Sequence, residues 1–127
     1  MIVSDVRAIE LIESLTGHRF APPYTVIGDE ISGEVTAAMA FTSWTGPDVL
    51  VSVAARKGRL SRTLIKAAGD YVFRQLDCCR ATLITESDRV RDYGIRLGAA
   101  DEGRCRNQFG IGRDGYRIAF HRDQWRF

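Results

Sequence analysis

The sequence is short of the residues that most often announce a function. It has three cysteines, and they form no framework: the count is odd, Cys78 and Cys79 are adjacent, and Cys105 has no partner at metal-ligand spacing. That pattern argues against a disulfide-stapled secreted domain and predicts free thiols in a reducing cytoplasm. Histidine occurs only as His18 and His121, each isolated in sequence, so neither a zinc site nor a nucleophilic triad is expected. No apolar run is long enough for a membrane span or a signal peptide, and "MIVSDVRAIELIES" brings charges into its first helical turns. Repeats and low-complexity tracts are missing as well. Lysine is nearly absent: sixteen of the eighteen basic residues are arginine, whose planar fork suits phosphate, carboxylate and packed interfaces. A net charge of +2, with acids interleaved throughout, makes no basic stripe, and nucleic acid is not the expected partner.

What is present fits one soluble domain spanning residues 1–127. With 45% hydrophobic and 27% charged residues, the chain has the profile of an ordered globular protein. At this length it buries roughly two-thirds of the surface that it exposes when unfolded.

Element types alternate along the chain. Ser4 and Asp5 are placed to cap a helix whose apolar residues Val6, Ile9, Ile12 and Leu15 recur at spacings of three, with Gly17 to end it. The prolines of "FAPPY" force an extended entry to two strands, "TVIGDEIS" and "GEVTAAMAFTSW", which turn at Ser32 and Gly33. After a second turn, "TGPD", the run "VLVSVAA" (49–55) is apolar on both faces and reads as a central strand covered on both sides. A helix from Ser61 to about Leu76 carries Leu64, Ile65, Ala68, Val72, Phe73 and Leu76 on one stripe, and the strand "RATLITES" follows. Strand, helix and strand in that order predict a right-handed crossover between two parallel strands. "DRVRDYGIRLG" predicts a helix that buries Val90, Tyr93 and Leu97 and stops at Gly98; "EGRCRNQF" and "YRIAFHR", joined by "GIGRDG", are the last strands. The expected class is α/β (α+β): a mixed, mostly antiparallel twisted sheet with one parallel strand junction and flanking helices.

Ligands of open α/β sheets settle outside the carboxyl ends of parallel strands, where a helix start offers unpaired amides and the positive end of its dipole. The loop 56–62 occupies that place. The amides of Leu60, Ser61, Arg62 and Thr63, ringed by Arg56, Lys57, Arg59 and Arg62, suit a pyrophosphate. A solvated basic turn capped by Ser61 is the alternative.

The order of elements and two spaced motifs resemble the GNAT (GCN5-related) N-acetyltransferase superfamily over roughly residues 25–121. Its signature, (Q/R)xxGx(G/A) with a leucine soon after, aligns with "RKGRLSRTL": Arg56 takes the first position, Arg59 replaces the first glycine, Ser61 is the last small residue and Leu64 the leucine. Downstream, "RLGA" (96–99) and "EGRCR" (102–106) look like the family's (K/R)LGF turn and following strand. Ser87 falls where the family has an asparagine that holds the pantetheine arm, and Gly94 falls where many members carry the tyrosine that protonates the departing thiolate. The segments "GRLSRTLIKAAGDYVF" and "LGAADEGRCR" also look similar to short GNAT-like proteins of bacteriophages.

That resemblance implies an acetyl-CoA-dependent N-acyltransferase acting on an amine by direct transfer, with no metal. Amides around Val53 to Ala55 would hold pantetheine and polarise the thioester carbonyl, and those of residues 60–63 would hold the pyrophosphate. Glu86, at the end of a strand, is the candidate base; Glu34 and Asp48 flank the other side, and Trp44 and Trp125 are candidates to line an acceptor site. The rival reading is a catalytically inactive GNAT-fold structural or interaction protein, such as a bacteriophage virion component, partnered by its own copies or by phage structural proteins. It rests on Gly94, on Arg59, on a first strand expected to be short or absent, and on "FHRDQWRF" as an exposed interface anchor. The expected location is a cytoplasm, or a host cytoplasm or virion if the source is a phage.

Overall fold

The computed structural model describes residues 1–127. Its elements follow the chain as β1 (Ile2–Val3), α1 (Val6–Thr16), β2 (Thr25–Ile31), β3 (Glu34–Thr42), β4 (Leu50–Ala55), α2 (Arg62–Gly69), β5 (Arg80–Thr85), α3 (Asp88–Arg96), β6 (Ala100–Cys105) and β7 (Gly115–His121). Seven strands form one sheet in the order β1-β2-β3-β4-β5-β7-β6, antiparallel everywhere except between β4 and β5. The class, the meander and the single parallel junction are those expected.

Local chemistry explains most boundaries. The Asp5 side chain accepts the Arg7 N–H and caps α1, while Gly17, at φ 75°, closes it in the left-handed region that glycine tolerates best. Ser32 and Gly33, at φ 54° and 81°, make the two-residue turn that joins β2 to β3. β1 is a two-residue strand paired to β2 at Asp29 and Gly28, so the first strand is short rather than absent.

Four expectations need correction. The buried stripe of α1 is Ala8, Ile9, Leu11 and Ile12, whereas Val6 and Leu15 are 63% and 46% exposed. A strict spacing of three advances about 300° per step and slides off the face, while spacings of one, three and four hold it. The long helix is α-helical only to Gly69 and continues as a π-helical stretch, Asp70–Gln75. Gly69 lies against the Trp125 indole, where any Cβ would collide. Trp125 is therefore half-buried packing, edge-on to Phe120 at 5.4 Å and beside Phe73, and not a free interface anchor. Finally, β4 is fully buried only at Val51. Its later residues are half-exposed because they line a gap in the sheet.

The two faces of the sheet carry separate cores. α2, its π-helical continuation and α3 lie on the face that presents Met39, Phe41, Val51, Val53 and Leu83; α1 lies on the opposite face, against Val26, Ala38 and Ala40. That division leaves both sides of the β4–β5 junction reachable, one beside the starts of α2 and α3 and the other beside the end of α1.

Candidate functional site

The parallel pair holds for only two residues, Leu50 with Thr82 and Val51 with Leu83. Each strand then follows its other neighbour: β4 stays paired with β3 through Ala55, and β5 with β7 through Thr85. The strands splay. The Arg56 N–H donates to the Thr36 carbonyl of β3 at 2.9 Å, so the alternation of the strand turns the Val53 and Ala55 amides the other way, into the gap. A cleft of about 470 Å³ opens there, walled by residues 52–55 of β4, the end of β5, Glu86 and Ser87, and on the α1 side by Leu15, Thr16, His18, Gln108 and Phe109.

Two helices begin at the mouth of this gap. The Ser61 hydroxyl accepts the Leu64 N–H at 3.0 Å, and the Ser87 hydroxyl accepts the Val90 N–H at 3.2 Å. Each serine satisfies one amide of its helix start, and the amides of Leu60, Ser61, Arg62 and Thr63 have no acceptor in the chain. Positive dipole ends and unpaired donors thus converge beside the splayed strands. The loop before α2 turns at Gly58, whose φ of 65° suits glycine; a Cβ there would also press on the Arg89 guanidinium at 3.3 Å. Arg89, from the first turn of α3, therefore lies over this loop. The backbone at Arg59 is not left-handed, so the left-handed turn sits one residue before it, at Gly58. A side chain at 59 carries no conformational cost.

The loop cations differ in freedom. Lys57, Arg59 and Arg89 are exposed and make no ion pair. Arg62 lies 5.6 Å over the Phe127 ring. Arg56 points elsewhere: its Nε approaches Glu34 at 3.2 Å and donates to the Val35 carbonyl at 3.4 Å. Leu60 is half-buried against the apolar core, and Thr63 is exposed on the first turn of α2.

Glu86 stands at the cleft as expected, but it is not free. Arg113, from the loop between β6 and β7, grips both its oxygens at 3.0 and 2.6 Å. Those hydrogen bonds hold the Glu86 carboxyl below the ordinary carboxylate range, with smaller contributions from the charges of Arg113 and His18. For a lowered carboxyl, the stabilising contribution is complete above its ordinary value and is lost as pH falls through the lowered one, so the pair persists at neutral pH.

Asp48 and Trp44 lie far from the gap, whereas Glu34 borders the loop 56–62. Asp48 precedes β4 at the opposite end of the sheet, where it accepts the Thr82 hydroxyl at 2.9 Å, and Glu34 is held by Arg56. Trp44 is 58% exposed near that same far end, hydrogen-bonded to the Gly46 carbonyl. Gly94 is buried with its face to β7, where a Cβ would collide with the Ile118 Cδ1, so this register has no room for a tyrosine. Tyr93 lines the apolar space beneath α2 and α3 with Val90 and Leu97, all half-buried. Sequence reasoning missed His18, Phe109, Arg89 and Arg113, because each reaches the gap from an element whose placement only the tertiary fold decides. No group of three or more His, Cys, Asp or Glu side chains is arranged to hold a metal ion, and no helix is long and apolar enough to cross a membrane.

No protein-family model and no curated protein matches the sequence. Solved structures do match the fold. The chain is similar to a spermidine/spermine N-acetyltransferase of Vibrio cholerae, with a TM-score of 0.76 and 13% identity over 97% of this chain and 92% of that one. It is also similar to the ribosomal-protein-S5-alanine acetyltransferase of Vibrio fischeri, with a TM-score of 0.59 and 15% identity over 82% of this chain and 63% of that one. Identities at this level carry the fold alone. That fold is the one of the GNAT acetyltransferases.

Proposed function

We propose that the chain is an acyltransferase that binds acetyl-CoA and passes the acetyl group directly to an amine. The observation that carries this reading is the splay after Val51 and Leu83, which leaves the Val53 and Ala55 amides unpaired beside two serine-capped helix starts. A CoA thioester has the matching chemistry along its length. Its pyrophosphate meets the amides of Leu60 to Thr63 and the free cations Lys57, Arg59 and Arg89, with Arg62 close by. Arg56 takes a lesser part because Glu34 already holds it. The pantetheine arm runs past the Ser87 hydroxyl, which accepts from Val90 and still has its own proton to donate. The Val53 amide then faces the thioester carbonyl and stabilises the oxyanion that forms on attack.

The acceptor amine enters from the α1 side of the cleft. Glu86 is ionised and tied to Arg113, which suits it to placing a cationic acceptor better than to taking its proton. A direct test is CoA release. Protein incubated with acetyl-CoA and a panel of primary amines is expected to liberate free thiol well above the buffer rate, with one acetylated amine per thiol. Thiol release matched to hydrolysis alone would contradict transfer.

A second reading, a GNAT-fold module that does not turn over, is favoured by one observation: Gly94 has no space for the tyrosine that many family members use. The same assay separates the two, since a module releases no thiol whatever amine is supplied.

A further inference from the structure

We infer that His18 is the proton-transfer residue of this site, taking a proton from the acceptor amine and returning it to the CoA thiolate; this rests on the acyltransferase reading. Sequence spacing left His18 isolated, yet the fold brings it to the splay. Gly17 ends α1 in the left-handed region, and the chain turns there so that the next residue lines the cleft. The His18 backbone N–H donates to the Thr16 hydroxyl at 3.2 Å. Its ring stacks on Phe109, with centroids 4.9 Å apart and planes 8° from parallel. Two elements distant in sequence thus set the imidazole's position and tilt.

Elimination strengthens the assignment. Among the cleft's proton-carrying side chains, Glu86 is bound through both oxygens to Arg113. The Thr16 hydroxyl donates to the Ile12 carbonyl at 2.7 Å, the Thr85 hydroxyl accepts from Ser87, and the Ser87 hydroxyl caps α3. Whatever bonds they make, these hydroxyls and that of Ser52 are aliphatic, and none is a base at neutral pH. Of the charged groups around it, Glu86 faces the imidazole across the cleft and is held by Arg113, Arg19 follows it in the chain, and Glu13 is occupied by the Phe20 N–H. His18 is the cleft side chain whose ring can both accept and donate a proton, through its two nitrogens.

The step balances without any other reactant. The acceptor nitrogen loses its ammonium proton to solvent, the neutral amine attacks the thioester carbonyl carbon, a C–N bond forms, and an N–H proton passes to an imidazole nitrogen. The C–S bond breaks and its electron pair leaves on the thiolate. The imidazolium then gives that proton to the sulfur, leaving amide, free CoA and neutral histidine. One residue supplies both proton transfers, and the absence of a tyrosine at position 94 ceases to be an obstacle.

The experiment compares His18→Ala and His18→Phe with the wild type, measuring acetyl-CoA binding by calorimetry and amine acetylation by CoA release. His18→Phe keeps an aromatic ring to stack on Phe109 but cannot carry a proton. We expect both variants to hold acetyl-CoA within about twofold of the wild type and to lose about a hundredfold or more in kcat. Added imidazole should restore a saturable rate to His18→Ala and not to His18→Phe, whose ring fills the space. Near wild-type turnover by His18→Phe would overturn the inference, as would a loss confined to acetyl-CoA affinity. A wild type that binds acetyl-CoA but acetylates none of the amines would also overturn it. A wild type without affinity for acetyl-CoA would instead bring down the acyltransferase reading beneath it.

Discussion

Replacing Gly94 with tyrosine, the residue that many GNAT acetyltransferases carry at the aligned position, is expected to damage the fold instead of improving catalysis. Gly94 is buried on the side of α3 that faces β7, and even a methyl group would strike the Ile118 Cδ1. Ile118 is itself fully buried, so its Cδ1 yields only by repacking the groups around it. Overpacking by a methylene or two costs about 1–3 kcal/mol, and a phenol ring exceeds that. Against a typical total of about 5–15 kcal/mol, the variant should unfold roughly 10 °C or more below the wild type, as followed by circular dichroism on heating. The cause can be isolated. Gly94→Ala alone is expected to lose stability despite alanine's better helix propensity, and Ile118→Val, which lacks the colliding Cδ1, should recover much of that loss in the double variant. A Gly94→Tyr protein that melts with the wild type and turns over faster would mean that α3 sits in a different rotation.

Reversing the charge of Arg59 is expected to reduce acetyl-CoA affinity by about tenfold to a hundredfold while leaving the melting temperature nearly unchanged. Arg59 is exposed, unpaired and beside the free amides of residues 60–63, so Arg59→Glu removes one attraction to the pyrophosphate and adds a repulsion. Surface changes without partners stay within about 0.5 kcal/mol of neutral for folding. Arg56→Glu should affect affinity less and stability more, because it sets a carboxylate against Glu34. Arg74→Glu serves as the control: Arg74 lies beyond α2 and contacts Asp70 at 3.7 Å. Calorimetric titration at two salt concentrations reads the effect, which should shrink at higher salt. Equal losses from Arg59→Glu and Arg74→Glu would reduce the result to net charge and contradict the loop placement.

Much of this architecture was legible in the residues because local chemistry sets it. The Ser32-Gly33 turn, the Asp5 and Ser61 caps and the apolar stripe from Leu64 to Phe73 each declare themselves within a few positions. The loop 56–62 was legible as a cation-rich turn into a helix start for the same reason: capping serine, cation density and glycine are contiguous. What escaped were relations between distant segments. Nothing near His18 announces that Phe109 will stack on it, and nothing near Glu86 announces Arg113. The sideways turn of Arg56 toward Glu34 depends on how β3 and β4 register. Trp125 read as an exposed anchor because its burial comes from a glycine more than fifty residues earlier. The likeness to phage proteins rests on short sequence patterns alone.

The central claim is that the splayed junction and the paired helix starts hold a CoA thioester. Its most direct test is an NMR titration of the 15N-labelled protein, 14.2 kDa in mass, with acetyl-CoA. The account predicts saturable shifts concentrated at the Val53, Ala55, Leu60, Ser61, Arg62 and Thr63 amides, with slowed solvent exchange at Val53 and Ala55, and little change around Trp44 at the far end of the sheet. Shifts gathered elsewhere, or none at millimolar acetyl-CoA, would contradict it.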